Sequence, residues 1–296
     1  MTNEFQRQME SDQTVSHRKP LPTYHRVKVV LDRVAAFLLL ILGIPVIAVL
    51  VVLIKLTSRG PGVYSQQRVG KNGKVYTMYK LRSMRIDAEA ASGPVWCATG
   101  HDPRVTPLGY WLRKLHLDEL PQLLNVVRGE MSLIGPRPER PEFVRVLAES
   151  VPNYLERLRV VPGITGLAQI NLPPDSDLNS VRRKVLLDLE YIETANFLLD
   201  VRMFLCTLFR IIGIKGESAM RIMWLKRSVR LEDLDIATPS PLEATPAAIA
   251  TGLTSADMQD ALEDRLAKAA FHGHPHHRHV RHEEPAGVGI AEAASN

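Results

Sequence analysis

Cysteine is almost missing: Cys97 and Cys206 are the only two, and they share no paired spacing. That excludes a disulfide framework and a cysteine-built zinc site, and it suits a reducing compartment. Aromatic residues are few, at 6%. No stretch has the pattern of an RNA-binding sheet or a zinc finger, so nucleic acid is not an expected partner. Acidic residues are outnumbered, leaving a net charge of +5 and a pI near 9.2. That excess points to anionic partners: a lipid surface or phosphorylated small molecules. Internal repeats are absent. The first 25 residues lack the apolar core and cleavage site of a signal peptide.

One long apolar run is present. Val34–Ile54 carries no charge, and as a straight helix it would be roughly 30 Å long, enough to cross a hydrocarbon core. Gly43 and Pro45 sit near its middle, where proline favours a kink. Basic residues flank both ends: Arg26, Lys28 and Arg33 before; Lys55, Arg59 and Arg68 after. Such flanks favour the cytoplasm, and both can lie there only if the segment enters and returns. The expectation is a helix–break–helix hairpin in one leaflet, with a kinked single span as the alternative.

After it, Val63–Arg68 and Lys74–Tyr79 alternate apolar and polar side chains around Lys71-Asn72-Gly73, a hairpin signal. Helical patterns follow at 85–93, Thr106–Leu115, Leu117–Val127, Pro141–Ser150 and Tyr154–Arg159, with a constrained loop at Pro162–Gly166. Ser180–Ile212 reads as one long helical region, and Met220–Arg230 as a basic amphipathic segment suited to anionic headgroups.

The chemistry-bearing residues cluster between Gly100 and Pro138. Asp102 precedes Pro103 and Arg104, Asp118 and Glu119 are adjacent, and Arg137 lies between Pro136 and Pro138. Prolines beside a polar residue fix its backbone and keep it out of helix interiors, which suits groups that must be aimed. The competing reading makes these acids helix N-terminal residues or turn residues. Lys80 and Arg82 leave the second strand as a basic face.

Four stretches carry a family resemblance: KLRSM at Lys80–Met84, HDPRVTPLG at His101–Gly109, LDELPQLLNVVRGEMSLIGPRPERPEF at Leu117–Phe143, and VPGITGLAQIN at Val161–Asn171. In this order they resemble the bacterial sugar transferases, the polyprenyl-phosphate hexose-1-phosphate transferases or monotopic phosphoglycosyl transferases, over about Leu31–Ile212. The resemblance implies an α+β, predominantly helical monotopic membrane protein with a re-entrant N-terminal helix and a small β-hairpin. It implies transfer of a sugar-1-phosphate from a nucleotide-diphosphate sugar, a UDP-sugar, to undecaprenyl phosphate. UMP is released, and surface-glycan or exopolysaccharide synthesis begins.

In this family the nucleophile is the Asp of an Asp-Glu dyad. Asp102 matches that Asp, while the Glu is replaced by Pro103, which cannot ionise. Asp118 or Glu119 could supply the missing carboxylate. Lys80, Arg82, Arg104, Arg113 and Arg137 are the candidate donor-phosphate ligands. Mg2+ is the expected cofactor, with its ligands open. Leu167 stands where the family usually has Trp, and Ile44-Pro45 where it often has Ser-Pro.

The expected division is a cytosolic tail over 1–26, a re-entrant helix over 27–58, a cytosolic transferase domain over 59–213, and a basic then disordered His-rich tail over 214–296. Anionic membrane lipids are expected partners, and the bacterial inner membrane, facing the cytoplasm, is the expected location. A second reading is an inactive membrane-anchored scaffold of a polysaccharide assembly complex.

Overall fold

The computed structural model describes residues 20–86, 88, 102–175 and 177–229. Most of the expected helix over 85–93 and the histidine tract His272–His282 lie outside them.

Helix α1, Tyr24–Thr57, contains the apolar run. It is continuous through Pro45, so the expected break does not divide it into two helices. A single stripe of Lys28, Ala36, Gly43 and Ile54 is buried, and Leu40, Ile47, Leu50 and Val51 pack beside it. The body thus packs against the helix on both sides of Pro45. The remaining faces are bare hydrocarbon, with Phe37, Leu38, Ile41, Leu42, Val49 and Leu56 all exposed.

Strands β1 (Val63–Val69) and β2 (Val75–Leu81) pair antiparallel. Asn72 and Gly73 take positive φ values of 54° and 76° in the tight connection, as the hairpin signal requires. Helix α2 is Pro107–Lys114. The Thr106 hydroxyl caps it by accepting from the Gly109 amide, and Pro107 sits in its first turn. A 3₁₀ turn at Leu117–Glu119 leads into α3, Gln122–Arg128, which ends at left-handed Gly129.

The loop expected at Pro162–Gly166 contributes a strand instead. Strands β3 (Ser132–Ile134) and β4 (Gly163–Thr165) pair in parallel. Gly135 and Gly163 let the two chains touch: a Cβ on Gly163 would lie 2.1 Å from the Gly135 nitrogen. Between these strands run α4 (Pro141–Ser150) and a 3₁₀ turn at Tyr154–Arg159.

The region expected as one helix over Ser180–Ile212 is two. Helix α6, Leu178–Thr194, follows the short α5 (Leu167–Asn171) and starts with a capping box of Asp177 and Ser180. Helix α7, Phe197–Ile211, is restarted by Asn196, whose side chain accepts from the Leu199 amide. The amphipathic segment is also shifted: α8 covers Gly216–Ile222, and Trp224 follows with φ 56°.

Among the described residues, four apolar clusters hold the body. Phe143, Val144 and Leu147 meet Val181 and Val185. Ile134 and Leu167 meet Leu187, Met203, Ala219 and Leu225. Tyr76, Met78, Val126 and Met131 lie beneath Ala36. Leu81 and Leu112 lie beneath Ile54.

Candidate active site

The site is assembled where the end of β2 meets three segments: the loop carrying Asp102, the 3₁₀ turn carrying Asp118 and Glu119, and the Pro-Arg-Pro turn. The chain beyond β2 is zipped to the Asp102 loop. Met84 bridges Val105, the Arg85 amide donates to the Arg104 carbonyl at 2.9 Å, and the Thr106 amide to Ser83 O at 3.0 Å. The approach is close enough that a Cβ on Gly109 would fall 1.9 Å from Ser83 O.

Asp102 and Arg104 pair directly. The Arg104 backbone amide and Nε donate to Oδ1 at 3.0 and 2.9 Å, and Nη2 donates to Oδ2 at 2.8 Å. Those guanidinium bonds, with burial opposing them, hold the Asp102 carboxyl down at about 2.

Glu119 is the anionic centre of a second group. Its Oε1 accepts from Lys80 Nζ at 2.8 Å and from Arg137 Nη2 at 3.2 Å. Burial would raise its pKa, but Lys80 and Arg137 outweigh burial and hold it well below the usual carboxylate range. Burial pulls the Lys80 ammonium down against the attraction of Glu119. Two cations on one carboxylate leave an excess of positive charge facing any incoming phosphate.

Asp118 differs from its neighbour. It is buried, and among the described residues it has no hydrogen-bond or ion-pair partner. Burial raises its pKa, offset in part by Lys80 and Arg113. Arg113 links the two halves of the site. Its Nε donates to Ser83 Oγ at 2.9 Å, and its charge acts on both Asp102 and Asp118.

Arg82 is turned away from this group. Its guanidinium donates to Arg59 O at 2.7 Å, Ser58 O at 2.8 Å and Ser58 Oγ at 2.7 Å, at the end of α1. The basic face expected from Lys80 and Arg82 is therefore split, with Lys80 facing Glu119 and Arg82 facing the helix end.

Several supporting residues were not singled out from sequence. Arg157 donates to the Arg137 carbonyl at 2.8 Å and is itself ion-paired with buried Asp188 at 2.7 Å. Glu139 takes Lys184 at 2.6 Å and Arg68 at 3.6 Å. Glu139 could have been found in the Pro-Arg-Pro-Glu-Arg run. Arg157 is 20 positions from Arg137 and carries no local signal.

The described residues contain no group of three or more His, Cys, Asp or Glu able to hold a metal. Unpaired Asp118 fits the usual Mg2+ pattern, in which one or two carboxylates share the ion with substrate phosphates. Glu119 fits it less well, because two cations already engage its Oε1.

Residues 23–213 match the profile of the family described as bacterial sugar transferase. The undecaprenyl-phosphate glucose phosphotransferase of Komagataeibacter xylinus is 42% identical over 206 residues, 67% of this chain and 38% of that protein. The UDP-glucose:undecaprenyl-phosphate glucose-1-phosphate transferase of Escherichia coli K12 is 39% identical over 181 residues, 60% of this chain and 39% of its own length. The Caulobacter vibrioides protein of the same name is 39% identical over 183 residues, 61% of this chain and 67% of its own. The chain thus spans about two fifths of the first two relatives and two thirds of the third. With the matched region containing α1, both candidate carboxylate groups and the Pro-Arg-Pro turn, the chain belongs to the bacterial sugar transferase family.

Proposed function

We propose that the chain transfers a sugar-1-phosphate from a UDP-sugar to undecaprenyl phosphate, releasing UMP, as the first step of exopolysaccharide or other surface-glycan synthesis. The observation that carries this reading is the Asp102 carboxylate, kept ionised by Arg104 on a loop fastened to the cation-rich end of β2.

An Asp102 oxygen attacks the sugar-bearing phosphorus, and the bond from that phosphorus to the bridging oxygen breaks. UMP leaves with the bond's electron pair. A phosphate oxygen of the lipid then attacks the same phosphorus, displacing the Asp102 carboxylate and forming the polyprenyl diphosphate sugar. Lys80, Arg113 and Arg137 hold the diphosphate and neutralise charge on its oxygens, so that an anionic nucleophile can approach. Arg104 passes from Asp102 to the phosphate as the donor enters. Asp118 would hold Mg2+, which would supply further charge neutralisation at the leaving phosphate.

The bare faces of α1 lie in the inner membrane, with the body on the cytoplasmic side and anionic lipids as its contacts. Support for both helix ends lying on one side is geometric. Near the start, Lys28 pairs with Asp200 at 2.6 Å. At the other end, Ser58 meets Arg82. One body holds both.

The test uses purified protein, undecaprenyl phosphate and UDP-glucose or UDP-N-acetylgalactosamine radiolabelled in the sugar. The expected products are labelled lipid and UMP. Release of UDP would indicate a glycosyl transferase, and no product with any donor would leave the scaffold reading.

A further inference from the structure

Four carbonyls at a helix C-terminus lack partners within the helix. At the end of α1 a single side chain from a distant strand meets the chain there. Arg82 spans Ser58 and Arg59 with both terminal nitrogens, and the Ser58 hydroxyl that accepts from it donates in turn to Ile54 O at 3.0 Å. The Arg82 amide also donates to Gly62 O at 2.9 Å. The exit of α1 is moulded around this guanidinium. Gly60 has φ +108°, and a Cβ there would lie 2.3 Å from Arg82 Nη1. A Cβ on Gly62 would lie 2.9 Å from Val51 Cγ1, so the turn is pressed back on the helix it leaves.

The same short stretch carries the site. Lys80 lies two residues before Arg82 and is paired to Glu119. Ser83 follows it and receives Arg113 and the Thr106 amide of the Asp102 loop. Arg82 is thus the side chain through which this stretch holds the exit of the apolar helix. Below it, Ile54, Leu81 and Leu112 form one buried cluster, so α2, with Trp111 about half exposed on its outer side, rides on the same joint.

We infer that Arg82 is a positioning residue that couples the seating of α1 in the bilayer to the height of the candidate site above it. It therefore governs how the membrane-borne phosphate acceptor meets the site. The donor arrives from water, and its ligands Lys80 and Arg113 keep their own partners, Glu119 and Ser83, when Arg82 is replaced. Lysine cannot replace it, because a single ammonium cannot span two carbonyls and a hydroxyl as the planar fork does.

This inference rests on the proposed reaction, and its test keeps the two apart. Wild type, Arg82→Met, Arg82→Lys and Ser58→Ala are reconstituted in phosphatidylethanolamine–phosphatidylglycerol vesicles. The KM for undecaprenyl phosphate and for the UDP-sugar are measured separately. In parallel, Trp111 is left as the sole tryptophan, and its depth is read by quenching with lipids brominated at different acyl positions. For Arg82→Met and Arg82→Lys the acceptor KM should rise tenfold or more, the donor KM should stay within about twofold, and Trp111 quenching should move to a different depth. Ser58→Ala should change both readouts in the same direction by less. A raised donor KM with an unchanged acceptor KM would make Arg82 a donor ligand and overturn the inference. So would unchanged quenching depth, or an equal loss toward both substrates accompanied by a collapse in melting temperature. If wild type forms no lipid product with any donor, the functional reading fails, and the quenching depth alone decides the coupling.

Discussion

Arg104 occupies both oxygens of Asp102, with bonds of 2.9 Å from Nε to Oδ1 and 2.8 Å from Nη2 to Oδ2. A carboxylate so closed is ionised but not free, and the proposed attack requires this guanidinium to let go of it. Asp102→Asn keeps the size of the side chain and loses the anion. It should abolish turnover and give no labelled protein when donor is supplied without lipid. An adduct that persists and maps to Asp118 or Glu119 would transfer the nucleophile's role to that residue.

Arg104→Gln should shift the pH dependence. The ordinary Asp value of 3.8 is lowered to about 2 by Arg104, so the wild-type carboxylate stays ionised until pH falls to about 2. Without the guanidinium, the acid limb of single-turnover labelling should move up toward 3.8. Labelling measured from about pH 3.5 to 6 checks this. Superimposable acid limbs would show that Arg104 does not set the ionisation of Asp102.

Asp118 and Glu119 should respond in opposite ways. Glu119→Gln leaves part-buried Lys80 and the more exposed Arg137 without their anion and should destabilise the fold by about 1 kcal/mol, read as a lower denaturant midpoint. Asp118→Asn removes a carboxylate that burial already disfavours as an anion, so the fold should be as stable or more so. Its loss should instead appear as a higher Mg2+ requirement in the transferase assay. Equal midpoints for the two variants would contradict the difference in their surroundings.

Glu139 makes stability depend on acid. Despite burial, Lys184 and Arg68 lower its pKa from 4.5 to about 2. A depressed carboxyl contributes stability above its unfolded value and loses it as pH falls through the folded one. Glu139→Gln should cost on the order of 2–3 kcal/mol at neutral pH. The gap to wild type should close as pH falls from about 4.5 toward about 2. Urea midpoints across that range provide the measurement.

The topology is testable in cells. Single cysteines at positions 5 and 240, in an otherwise cysteine-free chain, should both resist an impermeant thiol reagent until the membrane is opened. Labelling of only one would mean that α1 crosses completely.

Local signals in the sequence carried much of this architecture. The Asn72-Gly73 turn, the Thr106-Pro107 helix start, the Gly129 stop and the α4 boundaries follow from chemistry within a few residues, and the structure has them where that chemistry puts them. The misses need distant partners. Strand β4 exists because Gly163 can lie against Gly135, a contact with no periodicity. Asn196 ends one helix pattern by capping another, although the apolar spacing runs on across it. The helix assignment of α1 runs on through Pro45, and the body that packs against it has no signature in the apolar run itself. In the site, the clustering of Asp102, Asp118, Glu119 and Arg137 was legible as motif density. The turning of Arg82 toward Ser58 was not, since a strand's end gives no sign of which way a long side chain will reach.

The buried stripe of α1 also bears on how the protein is handled and how it is made. A chain begun after Thr57 would uncover Met78, Val126 and Met131, which lie beneath Ala36, and Leu81 and Leu112, which lie beneath Ile54. It would also take Lys28 from Asp200. The rest of the body cannot be separated from α1 with its core intact. During synthesis, α1 emerges first and must wait for the strands and helices that cover its inner side. The inner stripe of α1 therefore stays uncovered until the chain as far as α3 has been made and folded against it.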